Sequence, residues 1–549
     1  MAAQNPQRLA HCPSFVIRSD PSLPVHLRQW YEFTGRDDGV GEVWCYTDSR
    51  SYVQGDTVTL HACASVDFVD VTVYSTENVP TEMFRRKRVK TIWAETPENC
   101  SVVGCRWPAV FEFDIGAWPS GAYRVSLAAS GNREGVPTAE HLFVVRPMET
   151  DKSSRLLLIT SDATWNAYND WGGSNAYEGI VDPQSNRFSA QLSIHRPMAR
   201  GFVSAPIDAP RTLPFKRRAV GSTVEYPYMQ WAYENGYSKK FASAGWASYE
   251  RHFVHWAQNE GFQVDVATQQ DLHFRPEVLS TYPCVAMVGH DEYWSWAMRD
   301  AIDNYIAAGG RVARFAGNFL WQIRLEDGGV TQICHKYRAR DEDPLRGTVQ
   351  QHLTTDAWES KEVGRAGVHT FGLNATNGMY AGWGDLAPHG PGGFTLFRPE
   401  HWAFDHCGLN YGDVLGGEAR VFGYEVDGLP YTFDDGLPVP LPSVRTPENL
   451  QILAMGFARM RELACAGEPP DAHFVGQDDA LFMAQTLYES ADEEKIARTD
   501  RGSGMVVHFN CGKGEVFHAG TTEWVAGLMR RDFAVCAVTR NVLRKFLQR

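Results

Sequence analysis

Two periodicities divide this chain. Over residues 1–148, apolar and polar positions alternate in short runs at 57–63, 69–74, 110–115, 123–127 and 141–145. Alternation of period two sends successive side chains to opposite faces of a strand, so each run predicts a half-buried β-strand. Turn-forming clusters such as Gln54-Gly55-Asp56 and Pro119-Ser120-Gly121 punctuate them. Short strands separated by turn signals predict an antiparallel two-sheet sandwich.

After Arg146-Pro147 the alternation gives way to continuous apolar runs at 156–160, 284–289 and 312–315, with a further strand pattern at 262–266. An unbroken apolar run marks a strand covered on both faces, as in a parallel sheet. Helical segments fall between them. One spans 246–260 and is stopped by Gly261; another is capped by Ser295 and closed by Gly309-Gly310. Strand and helix in alternation predict a doubly wound α/β domain over 149–549, a Rossmann-like three-layer architecture of the class I amidotransferase-like kind. It follows an immunoglobulin-like β-sandwich over 1–148. Residues 329–501, rich in Gly, Pro and aromatics, read as a mostly β insertion with long loops. Sheet pattern returns at 504–520, and 533–547 reads as a closing helix.

Composition narrows the functional classes. The 549 residues are 43% hydrophobic and 21% charged, which suits a folded globular chain. A net charge of −14 disfavours nucleic acid, which selects a basic face. The local run Arg85-Arg86-Lys87-Arg88 reads as a solvated face. No stretch is long and apolar enough to span a membrane, and residues 1–12 lack the apolar core of a secretory leader, so a cytoplasmic location is expected. The 11 cysteines are scattered without a C-x-x-C pair. Cys100 and Cys105 read as reduced thiols of the sandwich.

In an open α/β sheet, ligands bind beyond the carboxyl ends of the strands. The residues in that position are 161–177 after the first run, His290-Asp291-Glu292-Tyr293-Trp294 after the third, and Ala316-Gly317-Asn318 after the fourth. No Gly-x-Ser-x-Gly elbow stands there, and no glycine-rich phosphate loop. Carboxylate and phenol groups remain. Glu292 is a hard anionic ligand, and phenolates such as those of Tyr168 and Tyr177 suit a ferric ion better than zinc or magnesium; spacing alone does not show such a centre, and each tyrosine also reads as a packing residue with a satisfied hydroxyl. A free tyrosine has a pKa of about 10, so a strong Lewis acid is needed to hold it deprotonated at neutral pH.

Four motifs, Thr164-Trp165-Asn166-Ala167-Tyr168-Asn169-Asp170-Trp171-Gly172-Gly173, Gly289-His290-Asp291-Glu292-Tyr293-Trp294-Ser295, Phe315-Ala316-Gly317-Asn318 and Val421-Phe422-Gly423-Tyr424-Glu425-Val426-Asp427-Gly428, resemble the large-subunit family of N,N-dimethylformamidase. Gly520-Thr521-Thr522-Glu523-Trp524 resembles it too. The likeness covers about residues 150–530. It implies hydrolysis of a small, formamide-like amide at a mononuclear Fe(III) centre held by two tyrosines and one glutamate. Carried over, these are Tyr168, Tyr177 and Glu292, with Tyr226, Tyr228 or Tyr293 as alternatives to Tyr177. It places His290, Asn318 and Glu425 around the metal as catalytic groups, and it implies a small partner subunit and a homo-oligomer.

Two other readings compete. Seventeen tryptophans suit a carbohydrate- or polymer-binding protein with aromatic platforms. His252 with His255, or His401 with His406, are the histidine pairs for a zinc hydrolase on an amidotransferase-like fold.

Overall fold

The computed structural model describes residues 15–17, 22–35, 41–131, 136–148, 155–179, 188–213, 226–380, 392–447, 449–459, 479–499 and 501–548. In the N-terminal part, strands Val43–Thr47, Thr57–Ala64 and Ala109–Asp114 form one sheet in that order. A second sheet runs Ser51–Tyr52, Ala139–Val145, Gly121–Ala129, Phe68–Ser75 and Glu82–Lys90. Along Phe68–Ser75 every second residue is buried, and its Val69, Val71 and Val73 share one core with Val58, Leu60 and Ala62 of the first sheet. The basic run Arg85–Arg88 lies within Glu82–Lys90, an edge strand whose side chains are mostly exposed. Charged side chains on an exposed edge discourage pairing with another chain.

The larger part is built on a nine-stranded sheet. Its order is Val264–Thr268, Leu156–Thr160, Cys284–His290, Arg311–Gly317, Gly514–His518, Arg501–Cys511, Gln451–Arg459, Phe394–Leu396 and Val414–Leu415. The first five strands are parallel. The last four run antiparallel to their neighbours. Three of those four come from residues 329–501, so that stretch extends the main sheet.

From Leu156–Thr160 the chain goes first to the strand on one side, Val264–Thr268, and then to the strand on the other, Cys284–His290. That reversal opens a crevice beyond the carboxyl ends of the two central strands, the usual ligand position in open α/β sheets. The helix predicted from 246 starts at Glu250, because Tyr249 is held out of helical geometry at φ −130° while its ring packs against Gly289. The helix Trp296–Ala307 is capped as predicted, with the Ser295 hydroxyl accepting from the Met298 amide at 3.2 Å. Trp171, Trp246, Trp294, Trp321, Trp358 and Trp524 are fully buried and serve the core, leaving them no part in a sugar-stacking surface. Among the described residues, no helix is long and apolar enough to cross a membrane.

Candidate functional site

Two kinds of scaffold meet in the crevice. On one side, strand Cys284–His290 ends in a turn. Gly289 there adopts φ 78°, and a Cβ would sit 2.5 Å from the Tyr249 ring, so only glycine lets the chain pass. Past it, His290 and Glu292 face the crevice. Asp291, between them, turns the other way, pairs with Arg314, and accepts from Gln269 Nε2 at 2.9 Å and Trp294 Nε1 at 2.8 Å. At the end of the next strand, Asn318 takes a left-handed φ of 64° and is held by its amide, which donates to Asp427 Oδ1 at 2.7 Å. Gly317 allows close approach of the Thr521 backbone, which a Cβ would meet at 2.7 Å. The adjoining Thr522 hydroxyl accepts from the Glu425 amide at 3.4 Å, where strand Glu425–Gly428 begins.

The other side is a short helix and a loop. Helix Asp162–Tyr168 carries Tyr168 at its last position, and the chain then loops to Tyr177. Tyr177 is placed by its amide, which donates to Asn175 Oδ1 at 2.7 Å.

All six residues singled out from the sequence converge. The Tyr177 hydroxyl lies 2.8 and 2.7 Å from the two oxygens of Glu292, and the Tyr168 hydroxyl 3.1 Å from Oε2. The two tyrosine ring centroids are 4.5 Å apart. His290 Nε2 is 2.8 Å from Glu425 Oε2 and 3.2 Å from Glu292 Oε2. Asn318 Nδ2 donates to Glu425 Oε2 at 2.9 Å. Each of the six is buried.

Of the alternative tyrosines, Tyr293 stands one layer back, its hydroxyl donating to that of Tyr177 at 2.8 Å. Tyr226 and Tyr228 pack with Trp30, Met229 and Phe241, and Tyr228 borders the site through Ser243 without reaching Glu292. The histidine pairs go elsewhere: His255 Nε2 is 2.9 Å from the Thr76 carbonyl, and His401 Nε2 is 3.1 Å from His508 Nδ1. Among the described residues, no group of three His, Cys, Asp or Glu side chains is arranged to hold a metal.

The electrostatics separate the titrating groups. Burial, then the charge of Glu292, drives both Tyr168 and Tyr177 well above the ordinary phenol range, so with no metal bound they are neutral donors to Glu292. Burial alone would lower the pKa of His290, but the Glu425 and Glu292 carboxylates outweigh it and raise it to about 10. The imidazole therefore carries protons on both nitrogens at neutral pH, Nδ1–H donating to the Ser243 carbonyl at 2.7 Å. Asn318 Nδ2, 3.1 Å from Nε2, is then a second donor aimed at the same Glu425 oxygen. Burial raises both carboxyls, yet His290 and Lys336 bring Glu292 below the usual range, whereas Glu425 stays above it with Glu292 adding to the rise. Two carboxyls pushed apart in this way are suited to different proton roles.

Sequence reasoning missed Lys336 and Tyr424. The Lys336 ammonium is fully buried 3.4 Å from the Tyr177 ring centroid and donates to the Ala176 carbonyl at 3.2 Å. The Tyr424 hydroxyl is 2.7 Å from His290 Nδ1. Tyr424 sits in a quoted motif beside Glu425, a signal that was available; nothing near Lys336 tied it to the crevice.

Two curated relatives, both N,N-dimethylformamidase beta subunits, are similar over most of this chain. That of Alcaligenes sp. is 23% identical over 513 residues, and that of Paracoccus aminophilus 22% over 510. Each alignment covers 82% of this chain and 55% of the relative, so the chain spans about half the length of the curated relatives it matches. Among solved structures, the sporulation control protein Spo0M of Bacillus subtilis shares 12% identity over 20% of this chain and 51% of its own, at a TM-score of 0.14, too low to inform the fold. The family model described as N,N-dimethylformamidase beta subunit-like, C-terminal, matches residues 74–536. That span takes in the sheet, the crevice and all six converging side chains, and the chain belongs to this family.

Proposed function

We propose that this protein hydrolyses the C–N bond of a small, formamide-like amide, using an Fe(III) ion held by Tyr168, Tyr177 and Glu292. The observation that carries this is the meeting of two phenol oxygens with one carboxylate inside 3.1 Å, buried at the switch point of the sheet. The donor set fits the ion. Three hard oxygen donors, two of them phenols far too weakly acidic to ionise unaided in this setting, call for a strongly Lewis-acidic cation. When bound, a ferric ion supplies Lewis acidity toward a carbonyl oxygen and toward water.

The protein's own groups supply the rest. Glu425, with the higher carboxyl pKa, is the base that takes a proton from the attacking water. His290 holds a proton at Nε2, 2.8 Å from Glu425, and delivers it to the departing amine nitrogen. Its Nδ1–H, fixed on the Ser243 carbonyl, keeps the ring from turning. Asn318 Nδ2 donates toward negative charge developing on the carbonyl oxygen, a role that works best when the donor is fixed in advance, as the Asp427 contact fixes it here. Burial of the lining side chains keeps bulk water out and favours a small substrate.

The relatives are named as beta subunits. We propose that the working enzyme likewise contains a second subunit; that this subunit is small and that the chain self-associates rest on the motif resemblance alone. The test is amine release from a panel of small amides by iron-loaded protein, alone and with a candidate small subunit. Turnover of N-substituted formamides that is lost in Glu425→Gln supports the assignment; absence of turnover under both conditions overturns it.

A further inference from the structure

We infer that Arg196 is the positioning residue that sets the spacing of Tyr168 and Tyr177, and that the N-terminal sandwich completes this clamp from outside the catalytic sheet. The inference rests on the proposed iron site. It adds to that site a residue that contacts neither metal nor substrate and a task for the sandwich.

Arg196 is 1% exposed, and its guanidinium is spent on backbone carbonyls. Nη2 donates to Asn166 O at 3.1 Å, Nη1 to Trp171 O at 2.7 Å and Ser174 O at 3.1 Å, and Nε to Ser193 O at 3.1 Å. Three of these carbonyls bracket the loop: one lies two residues before Tyr168, one three residues after it, and one three residues before Tyr177. Its described hydrogen bonds all go to backbone carbonyls, and Asp170 adds an electrostatic attraction. Burial lowers its pKa to about 10, with the neighbouring Cys100 thiol opposing, so the cation persists at neutral pH. A buried charge is costly unless its donors are met, and a rigid planar fork meets several carbonyls at once where an ammonium does not.

The sandwich grips the same segment. Arg50 Nη1 donates to Asp162 O at 2.6 Å and Nη2 reaches Asn166 Oδ1 at 3.4 Å, both on the helix bearing Tyr168. The Gly172 amide donates to Glu32 O at 2.9 Å in the N-terminal segment. Trp171 meets the edges or faces of Trp44 and Trp107, with centroids 5.5 and 5.7 Å away. The Cys105 amide donates to His195 O at 2.8 Å, tying the sandwich to the residue before Arg196. Gly172 passes so close to Cys100 that a Cβ there would lie 2.8 Å from the thiol sulfur.

The test uses the full chain carrying Arg196→Lys, which keeps the charge and removes the fork, and separately Arg50→Lys. Amide hydrogen exchange is followed on metal-free protein, and uptake of ferric ion alone is titrated by visible absorption. For Arg196→Lys, exchange at Asn169, Gly172, Asn175 and Ala176 is expected to rise at least tenfold while strands Leu156–Thr160 and Cys284–His290 keep wild-type protection. Iron affinity is expected to fall at least tenfold, with a shifted band. Wild-type exchange and affinity in this variant would overturn the inference. Should Arg196→Lys fail to fold, Arg50→Lys decides, through faster exchange over 162–168 in support or unchanged exchange against. If the wild-type chain itself takes up no iron, the metal reading fails, and the exchange data alone judge the clamp.

Discussion

The two halves of the crevice are built on different principles. His290, Glu292, Asn318 and Glu425 sit at strand ends, where sheet register fixes the backbone and one turn or one left-handed residue aims each side chain. Tyr168 and Tyr177 sit on a seven-residue helix and a loop, which have no ladder of their own. Their geometry is set by polar groups brought from elsewhere: Arg196, Arg50, the Glu32 carbonyl and Glu250. On the proposed reading, proton chemistry and one metal ligand, Glu292, belong to the rigid half, and retention of the metal by Tyr168 and Tyr177 depends on how well the second half is braced.

Substitutions sharpen this contrast to different degrees. Glu292→Ala touches both halves, and iron binding and turnover are each expected to fall by more than ~100-fold, beyond the loss usual for a group one layer away from a metal. Metal analysis with steady-state kinetics checks it. Asn318→Gly removes the amide donor without straining the left-handed backbone, so kcat should drop by about 10²–10³ while KM and iron content hold. If iron is lost as well, the separation of the halves is wrong.

Gly317→Ala attacks the strand half through packing. Its Cβ would meet the backbone of Thr521 and Thr522 at 2.7 Å, where no flexible side chain can give way, and a loss of about 1–3 kcal/mol in chemical denaturation is expected.

Glu250 braces the loop half, Oε1 accepting from the Ser161 amide at 3.0 Å and Trp165 Nε1 at 3.1 Å. Burial raises its pKa to about 8, against the opposing hydrogen bond of Ser161. A carboxyl raised on folding contributes stability that is whole below its unfolded-state value and fades as pH climbs through about 8. Calorimetry should therefore show the wild-type Tm declining from about pH 5 to about pH 8 and levelling above it, with a shallower decline in Glu250→Gln. A parallel decline in both would remove Glu250 as the cause. At the other extreme, Lys87→Ala on the exposed edge strand should change stability by no more than about 0.5 kcal/mol and leave iron uptake alone.

The rigid half was the more legible one in the sequence. Apolar runs covered on both faces mark the central strands, and the polar residues just past them are, by the geometry of open sheets, the ones that face the crevice. His290, Glu292 and Asn318 follow from that rule, and Glu425 from its motif. The tyrosine half was legible only in part. Tyr168 follows the first strand closely, but spacing does not show that the loop folds back to bring Tyr177 onto Glu292 while Tyr226 and Tyr228 pack elsewhere. Arg196 and Lys336 were invisible for a physical reason: an isolated cation is normally a solvated side chain, and only its burial against carbonyls or rings reveals another task. Strand Glu82–Lys90 was hidden by the opposite effect, its charged side chains masking the alternation that marks a strand.

The central claim, a ferric centre on two tyrosines and a glutamate, is tested most directly by metal analysis and a visible spectrum of the purified chain, with Tyr168→Phe and Glu292→Ala alongside. The account predicts about one iron per chain with a broad tyrosinate-to-iron band, weakened in Tyr168→Phe and lost in Glu292→Ala. Protein that stays colourless and iron-free after reconstitution with ferric salt, or a band indifferent to both substitutions, would contradict it.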